Sequence, residues 1–273
     1  MNAALSCYVA GMSAPAPTLH EAGVYRRRVS ASPARIWENV YDWEHLPSLH
    51  ETTFRSVNLV EADGQDWTVR FSGTGREGSE TIRLCSDRDA GRYVVTTLEG
   101  AGVGSEIRVQ LQPVEAHVTD IEVRYFVPEA RPERLSRIGA AFVSLYERLW
   151  DEDEAMMQLR EARLQARRSR GAPEPVLLGS LEDVEASLPL TVDVGGTPFR
   201  LLREGGELLA HATTCPHWLG PLDDAPVVDG VVRCPWHGWR FDVRTGENLD
   251  GHACRLAIPP RVSVEAGQVW LRP

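Results

Sequence analysis

Two pairs of cysteine and histidine near the C-terminus have the residue types and the spacing of a metal site. One residue separates Cys215 from His217, and two residues separate Cys234 from His237. Two thiolates and two imidazoles suit a cluster of two irons and two sulfides, in which cysteine holds one iron and histidine the other. A structural zinc site is the alternative, but such sites favour C-x-x-C or H-x-x-x-H spacing, which these pairs lack. The spacing therefore predicts a [2Fe-2S] cluster.

The residues around these pairs resemble the ligand loops of the Rieske iron–sulfur family. Such loops read much like CPHWLGPL and CPWHGWRFDVRTG, which this chain carries at 215–222 and 234–246. Leu219 departs from the family, which usually has glycine at that position. The resemblance implies that the cluster is held by Cys215, His217, Cys234 and His237.

Two further positions in the loops bear on the reduction potential of the cluster. High-potential Rieske proteins often carry an extra cysteine in each loop and a serine that donates a hydrogen bond to the cluster. This chain lacks that cysteine pair and has Trp239 in place of the serine. Because hydrogen bonds to the sulfurs raise the potential, the resemblance implies a low-potential cluster of the type found in oxygenases and their ferredoxins.

A second set of candidate ligands follows the first predicted helix. Asp42, His45 and His50 form the pattern D-x-x-H-x-x-x-x-H. Two histidines and one carboxylate on a single iron make the facial triad of non-haem Fe(II) oxygenases, which leaves positions for O2. The pattern resembles the stretch that binds the catalytic iron in Rieske oxygenases, whose third ligand is an aspartate on a long C-terminal helix.

The acidic run at 151–154 on the last predicted helix offers that third ligand. At about 100° per residue, Glu152 and Asp153 border the apolar stripe of this helix, while Asp151 and Glu154 point away. A buried carboxylate without a partner is costly, and a metal would supply the partner. The run also resembles the family's helix around its ligand, so we expect Asp153 to bind the iron, with Glu152 as the alternative.

The resemblance assigns Asp42 a catalytic role that is not that of a ligand. In Rieske oxygenases an aspartate at this position bridges an iron-binding histidine and a cluster histidine of the neighbouring subunit. The resemblance implies that Asp42 forms a hydrogen bond with His45 and that the chain forms a homo-oligomer, most simply a trimer. START-like proteins without a metal also carry similar residues in this turn, where they cap the helix and close a pocket, so that interpretation stays open.

The elements that position these groups predict an α+β chain with two domains. Residues 20–165 contain a strand at 24–29, a short helix after Ser32, alternating strands, and a long helix after Pro132. This order resembles the START-like helix-grip fold, an antiparallel sheet around a long C-terminal helix. The resemblance implies an apolar pocket between sheet and helix, which Phe142, Leu145 and Leu149 would line.

The remaining segments complete the predicted organisation. Residues 1–19 are rich in alanine, serine and proline and are expected to be disordered, with Met12 as a second candidate start. Residues 166–175 are basic and then rich in glycine and proline, which is typical of a linker. Residues 176–273 are expected to form an all-β Rieske domain.

Composition narrows the function. The formal net charge of −10 argues against nucleic acid as a partner, and no apolar run approaches membrane-spanning length. Cys7, Cys85 and Cys254 show no paired spacing. They are therefore expected to be free thiols in the cytoplasm.

The sequence favours a Rieske-type non-haem iron oxygenase that hydroxylates or dealkylates a small apolar or aromatic substrate. No flavin or nicotinamide motif occurs, so electrons would come from a ferredoxin or an NAD(P)H-dependent reductase. The order of the two domains is reversed relative to the usual oxygenases. The alternative is a START-like ligand-binding module fused to a Rieske electron-transfer domain, without mononuclear iron.

Overall fold

The computed structural model of the protein describes residues 18–75, 77–129, 131–166 and 172–273. The chain divides into two compact units, one ending at Gln158 and the other beginning at Leu159. The disorder predicted for 1–19 and the linker predicted at 166–175 fall largely outside the described residues. Those two predictions and the domain limits drawn from them stay predictions.

The first unit is a seven-stranded antiparallel sheet with short helices near its start and a long helix at its end. Its elements are β1 (His20–Val29), α1 (Pro33–Tyr41), a 3₁₀ turn (Trp43–His45), α2 (Leu46–Leu49), β2 (Phe54–Asp63), β3 (Asp66–Gly73), β4 (Glu80–Asp87), β5 (Arg92–Glu99), β6 (Glu106–Glu115), β7 (Val118–Val127) and α3 (Pro132–Ala166). The strand order is β1-β7-β6-β5-β4-β3-β2. This is the predicted helix-grip architecture.

Local sequence signals explain most of these elements. The side chain of Ser32 accepts a hydrogen bond from Arg35 N at 3.3 Å, and Pro33 begins α1, as the capping pattern predicts. Alternating apolar residues that begin at Trp67, Tyr93, Ile107 and Ile121 predict β3, β5, β6 and β7, whereas no such pattern predicts β2 or β4. Strand β2 lies at the edge of the sheet and is exposed along most of its length, so it lacks the apolar alternation that marks a half-buried strand.

Helix α3 packs against the sheet through Phe142, Trp150 and Met157, which join the core of the unit. The predicted pocket lining is wrong at Leu145 and Leu149, which are only half-buried and lie outside that core. Tyr146 packs there instead. Side chains of a helix lean toward its N-terminus, so the face that meets the sheet is shifted by about one residue from the predicted stripe.

A pair of glycines sets how closely α3 approaches β1. A side chain at Gly23 would meet the backbone of Gly139 at 3.0 Å, and one at Gly139 would collide with the backbone of Ala22. Only glycine fits at this crossing. The contact fixes which side of α3 faces the sheet in its N-terminal half.

The second unit consists mainly of short strands in three sheets. Its elements are β8 (Val176–Ser180), α4 (Leu181–Ala186), β9 (Leu190–Val194), β10 (Thr197–Glu204), β11 (Glu207–Ala212), β12 (Val227–Val228), β13 (Val231–Arg233), β14 (Arg240–Asp242), β15 (Arg261–Glu265) and β16 (Gln268–Arg272). The sheets have the orders β11-β10-β9, β12-β13-β14 and β15-β16-β8. Apart from the short helix α4, this is the expected β domain.

Two observations bear on the other expectations from composition. No helix in the described part of the chain has both the length and the apolar character needed to cross a membrane. Cys85 in β4 is disulfide-bonded, so its prediction as a free thiol is wrong. Which cysteines pair cannot be deduced from spacing alone, and Cys85 no longer supports the expectation of a reducing compartment.

Candidate metal centres

The two cysteine–histidine pairs lie in two loops of the second unit, one between β11 and β12 and the other between β13 and β14. Each loop is closed by a backbone hydrogen bond. Cys215 N donates to Gly220 O at 2.9 Å, and Cys234 N donates to Trp239 O at 2.8 Å. Each bond fixes a tight turn that directs its cysteine and its histidine to the same side.

The structure brings the four predicted cluster ligands together. Cys215 and Cys234 are each 1% exposed, and their side chains are hydrogen-bonded to each other. The rings of His217 and His237 stand 4.4 Å apart at 74°. A buried pair of sulfurs beside a pair of imidazoles is the donor set of a mixed cysteine–histidine [2Fe-2S] cluster.

The two thiols differ in their acidity. The hydrogen bond from Cys215 lowers the pKa of Cys234 to about 5, with a smaller contribution from His237. The same neighbour, together with burial, raises the pKa of Cys215. The metal-free chain therefore holds one thiolate and one thiol at neutral pH, and binding iron would require the second proton to leave.

Gly220 makes room for the sulfur of Cys234. A Cβ at this position would lie 2.6 Å from Cys234 Sγ and 3.2 Å from the ring of Trp236. The adjacent Leu219 has φ 65°, the left-handed region that glycine adopts without strain. This explains why Rieske proteins usually have glycine at that position. In this chain Leu219 takes its place and is buried, with 2% of it exposed.

Two arginines at the end of α3, in the part that belongs to the second unit, hold the first ligand loop. Arg160 Nη1 donates to Trp218 O at 3.1 Å, and its guanidinium lies 4.4 Å above the Trp218 ring. Arg163 Nη1 donates to Leu219 O at 2.7 Å and pairs with Asp223 at 3.1 Å. Neither arginine was predicted to contact the loop, although their i, i+3 spacing places them on one side of the helix.

Trp239 is the middle ring of a stack of three. It lies 3.8 Å from the ring of His217, at 9°, and 3.6 Å from the exposed ring of His252, at 6°. An indole stacked in this way presents its face to the ligand ring, where a serine would present a hydroxyl donor. The cluster therefore lacks a hydroxyl hydrogen bond from this residue.

We expect a low reduction potential for this reason. Since hydroxyl donors to the sulfurs raise the potential, the midpoint should lie toward the lower end of the Rieske range of about −150 to +300 mV. A redox titration followed by EPR measures it, and Trp239→Ser should raise it. A midpoint of the parent protein well above zero would contradict the expectation.

The second candidate site lies in the first unit, where the 3₁₀ turn and α2 face α3. One ligand atom from each of His45, His50 and Asp153 lies within 4.8 Å of the other two. Asp153 Oδ1 is 3.1 Å from His50 Nε2 and 3.5 Å from His45 Nε2. All three residues are buried. The two Nε2 atoms and one carboxylate oxygen thus converge on a common point.

The other ring nitrogens of these histidines face carboxylates. His50 Nδ1 donates to Glu152 Oε2 at 2.5 Å, and His45 Nδ1 lies 3.4 Å from Asp42 Oδ2. Carboxylates at Nδ1 orient imidazoles that bind a metal through Nε2. The Asp42 side chain makes no capping hydrogen bond to the 3₁₀ turn, which disfavours a purely capping role.

A buried polar atom also marks the site. Within the described residues, Asp153 Oδ1 is buried and has no hydrogen bond of good geometry, although His50 Nε2 lies 3.1 Å away, and a poorly satisfied buried carboxylate is costly. His50 shows the electrostatic effect of this group. Burial acts to lower the pKa of His50, but the carboxylates of Asp153 and Glu152 more than offset it, and the pKa is raised. A divalent cation would take the place of that proton, so the donor set fits a metal.

The remaining carboxylates of the acidic run point to β1. Arg27 pairs with Asp151 at 2.5 Å and with Glu154 at 2.6 Å. The sequence predicts that Glu154 points away from the apolar stripe, yet Glu154 is buried, with 9% of it exposed. Strand β1 covers this side of α3 and supplies the arginine that makes burial of Glu154 possible. Glu152 and Asp153 occupy the side that faces the histidines.

Aromatic side chains border the second site. The ring of Phe54 stands 6.3 Å from that of His50 and 5.2 Å from that of Phe71. Burial, and to a smaller extent the charge of Asp153, raises the pKa of both Tyr93 and Tyr146. Both tyrosines are therefore neutral phenols at physiological pH.

Comparison with known proteins gives the family of the second unit. Residues 174–259 match the model of the Rieske [2Fe-2S] domain. Apoptosis-inducing factor 3 of Homo sapiens is 32% identical over 92 residues, which make up 34% of this chain but only 15% of that protein. The ferredoxin CarAc of Metapseudomonas resinovorans is 36% identical over 79 residues, 29% of this chain and 73% of the ferredoxin.

The first unit has a different set of neighbours. A START superfamily protein from Mycobacterium smegmatis shares 17% identity, with 50% of this chain and 95% of that one covered and a TM-score of 0.42. By its own architecture the first unit is START-like, with an antiparallel sheet and a long C-terminal helix, and the loops of the second unit carry the complete ligand set of a cluster. Through residues 174–259 the chain belongs to the Rieske [2Fe-2S] family.

Proposed function

We propose that the protein is a Rieske-type non-haem iron oxygenase. The observation that carries this proposal is the convergence of His45, His50 and Asp153 within 4.8 Å of one another, in a chain that also has the ligands of an electron-transfer cluster. A cluster delivers single electrons and requires an acceptor. Two imidazoles and one carboxylate are the facial triad of O2-activating iron enzymes, and bound iron would supply that chemistry.

The residues of the chain have distinct roles in this proposal. His45, His50 and Asp153 hold the iron. Glu152 keeps the Nδ1 proton on His50, so that Nε2 is free of a proton and directed inward. Asp42 Oδ2 lies 3.4 Å from His45 Nδ1 without a hydrogen bond of good geometry, and in the iron-loaded protein it would orient His45 and bridge to a cluster histidine of a neighbouring subunit, which requires a homo-oligomer, most simply a trimer.

The substrate is a small apolar or aromatic molecule that is hydroxylated or dealkylated. The ring of Phe54 beside His50, with that of Phe71 behind it, supports this class, because aromatic faces bind apolar ligands and exclude water. Electrons reach the cluster from a ferredoxin or an NAD(P)H-dependent reductase. The chain matches only the Rieske part of its relatives. The redox partners proposed here are therefore inferred from the chemistry of the site and not from those relatives.

Iron analysis tests the proposal. The parent protein, reconstituted anaerobically, should contain about three irons per chain, two in the cluster and one in the facial triad. His45→Ala should lower this to about two and leave the visible spectrum of the cluster unchanged. His117→Ala, which alters an exposed histidine in the turn after β6, serves as the control and should retain three.

A parent protein with two irons and an intact cluster would refute the oxygenase proposal. The chain would then be a ligand-binding module fused to an electron carrier. Conversion of the substrate would not be expected in that case.

A further inference from the structure

Arg27 differs from its neighbours in β1 because its side chain points toward helix α3. Its neighbours Arg26 and Arg28 are exposed and pair with Glu122 and Asp120 on the adjacent strand β7. Side chains alternate along a strand, so Arg27 shares the inner side with the buried Tyr25 and Val29. A charged side chain at an inward position needs partners.

Those partners are the two acidic residues that flank the proposed iron-binding segment of α3. Arg27 Nη1 lies 2.5 Å from Asp151 Oδ1, and Arg27 Nε donates to Glu154 Oε2 at 2.8 Å. The second oxygen of Glu154 accepts from Ser30 N at 2.7 Å. One guanidinium therefore ties β1 to two positions of the helix, three residues apart.

Because α3 is a regular helix, the contacts of Arg27 also affect where Asp153 lies. At about 100° per residue, Asp151 and Glu154 lie about 60° apart on one side of the helix, and Asp153 lies about 130° from their midpoint. A rotation of α3 by about 10° would move an atom about 5 Å from its axis by about 1 Å. Metal–ligand distances vary by only about 0.2 Å. The rotation of α3 must therefore be fixed before a metal can bind well.

We propose that Arg27 is a positioning residue that sets the rotation of α3, so that Asp153 is presented to the two histidines. The inference rests on the proposed function, because it assigns Arg27 to the same iron site. Gly139 fixes the N-terminal half of α3 by its close approach to β1, whereas Arg27 fixes the half that carries the ligand.

The charge of Arg27 also favours this arrangement of α3. Four consecutive acidic residues occupy about one turn of helix, and like charges so close together repel one another. Arg27 supplies the opposite charge. Burial acts to lower the pKa of Arg27, but its bonds to Tyr25, Asp151 and Glu154 more than offset this, and the pKa is raised. The guanidinium remains a cation.

Cobalt(II) binding to the cluster-loaded protein tests the inference without relying on activity. The signal of interest is the cobalt d–d absorption that His45→Ala abolishes. Arg27→Gln should weaken cobalt binding at this site by about 10-fold to 100-fold, the range typical of residues that orient metal ligands. Arg28→Gln removes an exposed arginine of the same strand and should bind cobalt with the affinity of the parent.

Two further variants separate positioning from folding. Arg27→Gln leaves Glu154 buried without a counter-charge, so the double variant Arg27→Gln/Glu154→Gln removes both charges and should restore thermal stability. It should still bind cobalt weakly. Arg27→Lys keeps the charge but cannot bridge two carboxylates as a guanidinium does, so it should recover cobalt affinity only in part.

The outcomes are distinct. Cobalt affinity equal to that of the parent in either Arg27→Gln or the double variant would overturn the inference and leave the proposed function standing. A parent protein without cobalt absorption dependent on His45 would overturn both.

Discussion

Gly220→Ala should abolish the [2Fe-2S] cluster. The added methyl group would lie 2.6 Å from Cys234 Sγ, and the ring of Trp236 closes the other side at 3.2 Å. Neither neighbour can move away, since Cys234 must bind iron and Trp236 is 4% exposed. Overpacking of this kind typically costs about 1–3 kcal/mol even in an apolar core, and here it displaces a ligand.

Visible absorption together with iron and sulfide analysis of the purified variant checks this. Gly267→Ala is the matched control. Gly267 lies in the turn between β15 and β16 with φ 75° and open space around it, so alanine adds about 1–2 kcal/mol of backbone strain without approaching a ligand. The control should retain its cluster. A full complement of iron and sulfide in Gly220→Ala would show that the loop adjusts more than its packing indicates.

Asp42→Ala should slow the transfer of an electron from the cluster to the mononuclear iron by about 100-fold while both metals stay bound. Asp42 approaches His45 Nδ1 at 3.4 Å, on the side of the ring opposite Asp153, so its loss removes no ligand. It removes the carboxylate that we propose as the bridge to the next subunit. Rapid-mixing measurements on the reduced protein, with separate iron analysis, report both quantities.

Glu44→Ala provides the control for Asp42. Glu44 is exposed in the same 3₁₀ turn, and its loss alters the local charge equally without touching a histidine. It should transfer electrons at the rate of the parent. A monomeric protein in which Asp42→Ala turns over normally would contradict the bridging role and favour a simple helix-end role for Asp42.

The parts of the molecule that could be predicted are those that depend on residues close together in sequence. The cysteine–histidine pairs fall within single loops, and Ser32 with Pro33 marks the start of α1 by a contact three residues long. His45 and His50 are likewise held in one short segment. Such groups depend on local backbone geometry, which spacing describes well.

The parts that could not be predicted depend on contacts between distant segments. The rotation of α3 is set by Gly23 and Arg27 on β1, more than a hundred residues away in sequence, so a periodicity argument placed its inner face one residue off. Strand β2 is defined by its pairing with β3 and by no pattern of its own. The bond between Arg163 and Leu219 in the first ligand loop joins residues that are 56 positions apart.

The adjacent thiol and thiolate in the cluster loops affect when the cluster must be inserted into the folded chain. Cys215 and Cys234 are in hydrogen-bond contact, and the lowered pKa of Cys234, about 5, keeps it ionised near neutral pH. A thiolate next to a second cysteine is the arrangement from which an oxidant forms a disulfide most readily. Newly folded chains exposed to oxygen before iron and sulfide arrive would lose both sulfur ligands at once. Insertion of the cluster therefore protects the same two atoms that it uses.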